Sequence, residues 1–309
     1  MEVTSVRASL TAIVAAAVLV ACTKSDSADA RSDSAVGAQP DSARPIATVG
    51  GFAQPEAVRY DPDQDVYFVT NWGPGEANAL DNNGFISRVT PDGKIDQPRF
   101  IAGSKGGVVL HAPRGMFITG DTLWVADEDA VRGFNRHTGA ALVTANFSAY
   151  KLGFLNDVAA GPGGEYVTDT GTNTIYRIAN GRVTVVLQDN ALGGPNGITW
   201  DAANHRFIVV PYGGDSVIRA WTPGNKTLSV LGKSTSNKFD GVEVLSGGRV
   251  LVSSQGDSAL HLFSAGTGRS IIRVGGAPAD IAVDTKRNRV AVPFLDRSMV
   301  EIWRLPAER

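Results

Sequence analysis

Cysteine, methionine and histidine are scarce, at one, three and four residues among 309. A lone cysteine excludes an internal disulfide, and one thiol makes no zinc site by itself. Net charge is nearly absent as well: 29 Lys and Arg face 31 Asp and Glu, a formal −2. Nucleic-acid binders usually carry a basic stripe, so that partner class is excluded. Long charged helical stretches are missing, which argues against bundles and coiled coils. The apolar run from Leu10 to Val20 would span about 17 Å as a helix, roughly half of a bilayer core of about 30 Å. What is abundant is glycine, 35 residues, well above the usual share of about 7%. With 43% hydrophobic and 19% charged residues, the chain can bury a core, and the excess glycine points to many tight turns and therefore to β structure.

The lone cysteine is informative by its position. Arg7, the apolar run and Ala21-Cys22 read as a secretory signal peptide over residues 1–21. Leu19-Val20-Ala21-Cys22 resembles the bacterial lipobox, which implies lipidation at Cys22 and a lipid-anchored place in a bacterial cell envelope, on the periplasmic or outer-membrane side. An ordinary secretory signal with a chance cysteine is the other reading. From Thr23 to Arg44 the chain is Ser, Asp, Ala, Gln and Pro without apolar periodicity. Such a segment buries too little surface to offset its ordering entropy. Residues 22–45 are therefore expected to be a flexible tether, and residues 46–309 the folded domain.

That domain repeats. Short strands open at Glu56, Arg114, Asn156, Asn196, Asp240 and Asp280, with spacings of 58, 42, 40, 44 and 40 residues. A second strand follows in each unit, as in Val66-Tyr-Phe-Val-Thr and Arg206-Phe-Ile-Val-Val, and third and fourth strands come after it. Four strands in about 40 residues make one blade, so the expected fold is an all-β, six-bladed propeller. The last unit has only three strands, and Ile46 to Val49 is expected to complete it and remove two exposed edges. The long first spacing accommodates a loop, Gly73 to Asn83, expected to cap one face of the ring.

First strands line a propeller's axis, so the six opening residues should meet there. Polar groups in such a channel are costly unless something satisfies them. Glu56, Asn156, Asn196 and Asp240 form a hard-oxygen donor set suited to Ca²⁺ or Mg²⁺. The competing reading is a hydrated rim in which Arg114 pairs with Asp280 or Glu56. Residues after the second strands should ring the same mouth: Asn71, Trp72, Glu128, Asp169, Tyr212, Gln255 and Phe294.

Gln54-Pro-Glu56-Ala-Val, Asn156-Asp, Pro195-Asn196-Gly-Ile-Thr-Trp200 and Phe239-Asp240-Gly resemble, in order, the four metal motifs of the gluconolactonase, senescence-marker-protein and luciferin-regenerating-enzyme family. The resemblance covers about residues 46–305. It implies a six-bladed propeller with one axial divalent cation, usually Ca²⁺ (Mg²⁺, Mn²⁺ or Zn²⁺ being the alternatives), and hydrolysis of lactones or related esters. On that reading Glu56, Asn156, Asn196 and Asp240 hold the metal, Asp240 is the general base, and Asp157 orients Asn156. Arg114, Phe154, Trp72, Tyr212 and Asp280 are the candidate substrate contacts. Sugar lactonases of the family commonly carry Arg two residues before the second ligand. Phe154 stands there instead, pointing to a less polar substrate.

Paraoxonase-like lactonases place a channel histidine where this chain has Arg114. His111 is expected on a surface or loop, and His137, His205 and His261 carry no recognisable dyad. Gly103-Ser-Lys-Gly-Gly107 is not followed by a helix, which disfavours a nucleotide site. No Gly-x-Ser-x-Gly elbow occurs with a partner histidine, which disfavours a serine esterase. Two function classes follow: a metal-dependent hydrolase of a small lactone or ester, acting as a monomer, or a non-catalytic metal-stabilised propeller serving as an envelope ligand-binding or interaction module.

Overall fold

Runs of β-branched and aromatic residues alternate with residues that tolerate left-handed backbone, and this alternation sets the strand boundaries. Asp65, His205 and Asn288 turn first strands into second ones at φ of 54°, 50° and 52°. Asn173, Ser258 and Ser298 do the same between second and third strands, at 52°, 55° and 49°. The computed structural model describes residues 44–307. The signal segment 1–21, Cys22 and nearly all of the expected tether lie outside the described residues. Among the described residues no helix is long and apolar enough to cross a membrane.

The strands follow the repeat. β1 is Ala47–Gly50, and the first unit is β2 to β5 (Pro55–Asp61, Val66–Asn71, Phe85–Val89, Ile95–Ala102). The second is β6 to β9 (Met116–Thr119, Thr122–Ala126, Ala130–Asn135, Ala141–Asn146). The third is β10 to β13 (Leu155–Gly161, Gly164–Asp169, Thr174–Ala179, Arg182–Gln188). The fourth is β14 to β17 (Pro195–Asp201, Arg206–Pro211, Val217–Trp221, Ser229–Lys233). The fifth is β18 to β21 (Phe239–Val244, Val250–Ser254, Ala259–Ser264, Thr267–Arg273), and β22 to β24 end the chain (Ala282–Asp284, Arg289–Phe294, Met299–Arg304).

Each unit is an antiparallel meander, giving an all-β, propeller-like fold. β1 pairs with β24 from Ala47↔Ile302 to Gly50↔Met299, one residue later than the expected Ile46–Val49. Among the described residues the sheets number four of four strands and one of eight. In the eight-stranded sheet the fourth and fifth units are joined by a single parallel pair, Lys233↔Thr267. Glycines allow this edge contact: a Cβ on Gly232 would lie 2.9 Å from Phe263 and 3.1 Å from Gly266 O.

Six apolar clusters lie between successive units, including one between the first and last. Innermost strands are buried, as in β2, whereas the outermost β9 is largely exposed. Between the third and fourth units Phe207 packs against Tyr166 at 4.4 Å, Trp200 at 4.8 Å and Trp221 at 5.7 Å between ring centroids. Phe207→Ala is expected to cost about 3–5 kcal/mol, because the surrounding rings cannot collapse into the cavity. Equilibrium urea unfolding measures it, and a loss below about 1 kcal/mol would show that this cluster does not hold the units together.

Candidate functional site

Four first strands open on a β-bulge, and the bulges fall at the four oxygen-donor residues. Pairing shifts between Pro55 and Val58, Leu155 and Val158, Pro195 and Ile198, and Phe239 and Val242. The residues in the shifts are Glu56-Ala57, Asn156-Asp157, Asn196-Gly197 and Asp240-Gly241. The β6–β7 and β22–β23 ladders contain no shift. A bulge bends the strand and re-aims its side chain. Left-handed backbone precedes three of the four by two residues, at Gln54 (φ 55°), Gly194 (70°) and Lys238 (50°). For the two non-glycine residues this costs roughly 1 kcal/mol each.

Hydroxyl groups hold the bulges in place. Ala57 N–H donates to Thr70 Oγ1 at 2.8 Å, Asp157 N–H to Thr168 Oγ1 at 3.0 Å and Gly241 N–H to Ser253 Oγ at 2.8 Å. Thr168 and Ser253 then donate onward to Asn196 O (2.7 Å) and Ala279 O (2.8 Å) of the next unit. First and last units meet through Asp280 N–H to Glu56 O and Val58 N–H to Asp280 O, both 3.0 Å. The units are packed so closely here that a Cβ on Gly197 would lie 2.2 Å from Asp240 O, and one on Gly241 2.4 Å from Ile281 N. Gly241→Ala is therefore expected to destabilise by about 1–3 kcal/mol and to weaken cation binding by displacing Asp240. Unfolding curves with and without Ca²⁺ test both effects.

Oxygens of Glu56, Asn156 and Asp240 are buried and unmatched. Glu56, Asn156, Asn196 and Asp240 are 3–4% exposed. Glu56 Oε2, Asn156 Oδ1, Asp240 Oδ1 and Asp280 Oδ2 have no hydrogen-bond partner. Burial and the nearby Asp240 carboxylate push Glu56 well above the usual carboxylate range, against the pull of Arg114. Burial raises Asp240 to about 7, opposed by hydrogen bonds from Gln255 and Asn196. Burial and Asp157 raise Asp280 well above its ordinary value. Buried acceptors facing one another without a donor are costly. An all-oxygen set of this kind is the chemistry that suits a hard divalent cation such as Ca²⁺.

Each donor is also positioned. Gln255 Nε2 donates to Asp240 Oδ2 at 2.7 Å, and Tyr212 OH donates to Gln255 Oε1 at 3.1 Å. Asn156 Nδ2 donates to Thr170 Oγ1 at 2.9 Å, and that hydroxyl donates to Pro195 O. Thr170, rather than the expected Asp157, therefore orients Asn156. Asp157 instead accepts Val158 N–H (2.7 Å) and Ile198 N–H (2.8 Å), tying two units together.

Arg114 does not pair with Asp280 or Glu56. It is fully buried, donates to Leu155 O and Ala77 O, forms an ion pair with Glu128 and lies 3.6 Å over the Phe154 ring. A guanidinium so engaged is a wall of the site and not a free substrate contact. The Ala77 bond and those from Gln54 Nε2 to Gly73 O (2.9 Å) and Gly75 O (3.2 Å) fasten the Gly73–Asn83 loop to this end of the ring.

Three expected rim contacts are structural instead. Asn71 Oδ1 accepts Ala53 N–H, Asp169 accepts the N–H groups of Gly153, Phe154, Gly171 and Thr172, and Phe294 is fully buried. One residue further along the repeat, Thr170 contacts Asn156, Gln255 contacts Asp240, Tyr212 contacts Gln255 and Glu128 pairs with Arg114, while Trp72 is half-buried with its indole N–H unpartnered.

Arg59 and Glu243 escaped the sequence reading. Arg59 bonds Glu243 Oε1 and Met116 O at 2.8 and 2.7 Å, and the fields of Asp280 and Asp157 also reach it. Burial raises Glu243 against the pull of Arg59. Strict alternation places residues i and i+2 on one face. A bulge absorbs one residue, so Glu56 and Arg59, or Asp240 and Glu243, share the axis at i and i+3.

Ligand atoms of His111, Asp127 and Asp129 lie within 4.8 Å of one another. Arg132 pairs with both carboxylates, with Asp127 at 2.8 Å and with Asp129, and His111 Nδ1 accepts Asn82 N–H at 3.0 Å. His111 is buried beneath its loop rather than at the surface. His205 and His137 are exposed turn residues. His261 was expected to lack a dyad, yet it contacts Asp257 and Ser234 at 3.0 Å. Partners from outside its own strand are invisible to a linear reading.

No family profile matches the chain, and no curated protein matches it. Solved structures do. A gluconolactonase from Xanthomonas campestris superposes over 85% of this chain and 89% of its own, at TM-score 0.66 and 16% identity. Virginiamycin B lyase from Staphylococcus aureus covers 84% of this chain and 99% of its own, at 0.60 and 15%. A streptogramin B lyase covers 83% and 96%, at 0.60 and 13%. The chain shares a propeller-like fold with gluconolactonases and streptogramin-type lyases. At these identities the likeness is one of fold.

Proposed function

We propose that the chain is a metal-dependent hydrolase of lactones or related esters, built on a six-bladed propeller like those of the gluconolactonase, senescence-marker-protein and luciferin-regenerating-enzyme family. The carrying observation is the set of unpartnered buried oxygens on Glu56, Asn156 and Asp240, each raised on its own β-bulge. Six inter-unit clusters that return from the last unit to the first support the six-bladed count. The cation held by Glu56, Asn156, Asn196 and Asp240 is Ca²⁺ on hardness grounds. The protein is lipidated at Cys22 and tethered in a bacterial envelope through residues 22–45.

A bound cation supplies polarisation of a carbonyl and a more acidic water. Asp240, held at Oδ2 by Gln255, is the carboxylate that takes the water proton. Phe154, Trp72 and Tyr212 provide a largely apolar mouth, which favours alkyl or aromatic lactones over polyhydroxylated ones. Arg114 and Glu128, paired with each other, stiffen the wall beneath it.

A second reading, a non-catalytic binding propeller, draws on the closure of this mouth. Arg114 is fully buried under Phe154 and paired with Glu128, and two surface cavities, one beside Val109 and Phe134 and one beside Asp92 and Arg289, include none of the four candidate donors. Proton release over sugar and alkyl lactones separates the readings, run after chelation and again with Ca²⁺ restored. Cation-dependent turnover with one ¹⁸O taken from labelled water establishes hydrolysis. Ring opening without ¹⁸O uptake points to elimination, and no turnover despite saturable Ca²⁺ binding favours the binding protein.

A further inference from the structure

Away from the axis, the junction of the fourth and fifth units carries a second cluster of reactive groups. Ser234 follows the last strand of the fourth unit, His261 lies on β20, and Asp257 sits in the turn before β20. His261 Nε2 lies 3.0 Å from both Asp257 oxygens, and Nδ1 lies 3.0 Å from Ser234 Oγ. A carboxylate on Nε2 holds that nitrogen as the donor, which leaves the Nδ1 lone pair facing the serine hydroxyl. Ser236 N–H donates to Ser234 Oγ at 3.3 Å, a contact that strengthens as charge grows on that oxygen. Ser236 Oγ also donates to Asp257 Oδ1 at 2.8 Å, fixing the carboxylate.

Exposure is graded along the relay. His261 is 1% exposed and packed edge-on against Phe239 at 6.3 Å, while Asp257 is 29% exposed and Ser234 is partly buried. The imidazole is shielded from water, whereas the hydroxyl is within reach of a small reagent. Hydrogen bonds from His261 and Ser236 hold Asp257 below its ordinary value although burial acts the other way, so it stays an acceptor. A structural latch between units needs a hydrogen bond to Ser234. It does not need a buried base with its tautomer set by a carboxylate.

We propose that Ser234, His261 and Asp257 form a second, cation-independent nucleophilic site for small carboxylic esters, used through Nδ1 of the imidazole. Ser234 Oγ bonds to the ester carbonyl carbon as its proton passes to His261 Nδ1. The carbon–oxygen bond to the leaving group then breaks, and the leaving oxygen takes that proton as an alcohol. Water, with His261 again as base, cleaves the acyl-serine to the free acid and restores the hydroxyl. The site needs no nucleophile elbow, because its three members come from two units.

A fluorophosphonate probe tests this on the full chain with chelator present, where the axial site contributes nothing. Peptide mapping should find one dominant adduct, on Ser234, forming at least about 10²-fold faster than on any other exposed serine. His261→Gln and Asp257→Asn should slow that adduct at least tenfold while circular dichroism remains unchanged. No preferential adduct on Ser234 in the folded wild-type chain overturns the proposal, whatever the variants do. Labelling of Ser234 at an undiminished rate in folded Asp257→Asn overturns it as well, since the contacts would then be a latch only.

Discussion

Asp240→Asn is expected to reduce lactone turnover by about 10²–10⁴-fold, the range for losing a general base, and to weaken cation affinity as well. The substitution keeps the shape and the Gln255 contact but removes the charge and the proton acceptor. Asp240 Oδ1 is buried without a partner, so an amide there can neither balance a cation nor take a proton. Glu56→Gln separates the two effects, because it removes one candidate ligand charge from the first unit and leaves Asp240 intact. Calcium titration calorimetry and initial rates on both variants read the two terms. Equal loss of rate in both would assign Asp240 to cation holding alone. An unchanged rate in Asp240→Asn would remove it from the mechanism.

The second large effect is a pH-dependent stability that the cation reverses. Without a cation, burial raises Asp240 and Asp157 to about 7, and Glu56 and Asp280 well above the carboxylate range. In the unfolded chain the same groups titrate near pH 4. A carboxyl raised by folding favours the native state while protonated. Its contribution is complete below about pH 4 and is lost as pH rises through about 7. Each titrating group costs up to ~1.4 kcal/mol per pH unit across that interval. The groups interact, so the protons leave in shared steps.

Asp61 and Asp257 have the opposite sign. Although burial raises them, hydrogen bonds from Gln64 and Arg136, and from His261 and Ser236, hold them low, so they lose stability as pH falls below about 4. Chelated protein should therefore melt highest at about pH 4, where both sets contribute, and at falling temperatures toward pH 8. Saturating Ca²⁺ should stabilise little at pH 5 and strongly at pH 8, by about 2.7 kcal/mol at a hundred times its Kd. Parallel melting curves with and without Ca²⁺ across this range would remove the cation from the axis.

How far the chain could be read residue by residue differs between fold and site. Strand spacing, hairpin turns and the return of an early strand to the last unit were legible, because each is a local pattern or a count of what a unit lacks. The closing strand was placed within one residue of its observed pairing with β24. The single pair joining the fourth and fifth units was not legible, because it depends on two edge strands meeting where Gly232 lets them approach.

The candidate quartet could be named as residue types at the spacing of the repeat. Its supports could not: Thr170 behind Asn156, Gln255 behind Asp240, and Arg59 opposite Glu243. Arg114 shows why. Its position at the head of a strand suggested a channel group, yet Glu128, Ala77, Leu155 and Phe154, from separate segments, engage both its terminal nitrogens and its face, leaving only Nε unpartnered.

The sequence by itself determined the repeat, the all-β class and the oxygen-rich heads of the first strands, since period, turn chemistry and residue type are one-dimensional properties. Tertiary structure alone decided which polar atoms stay unpartnered, which carboxyls rise toward neutrality and which serine faces a histidine. Those properties depend on distance and burial across units, and a bulge that shifts alternation by one residue is enough to reverse what lies on the axis.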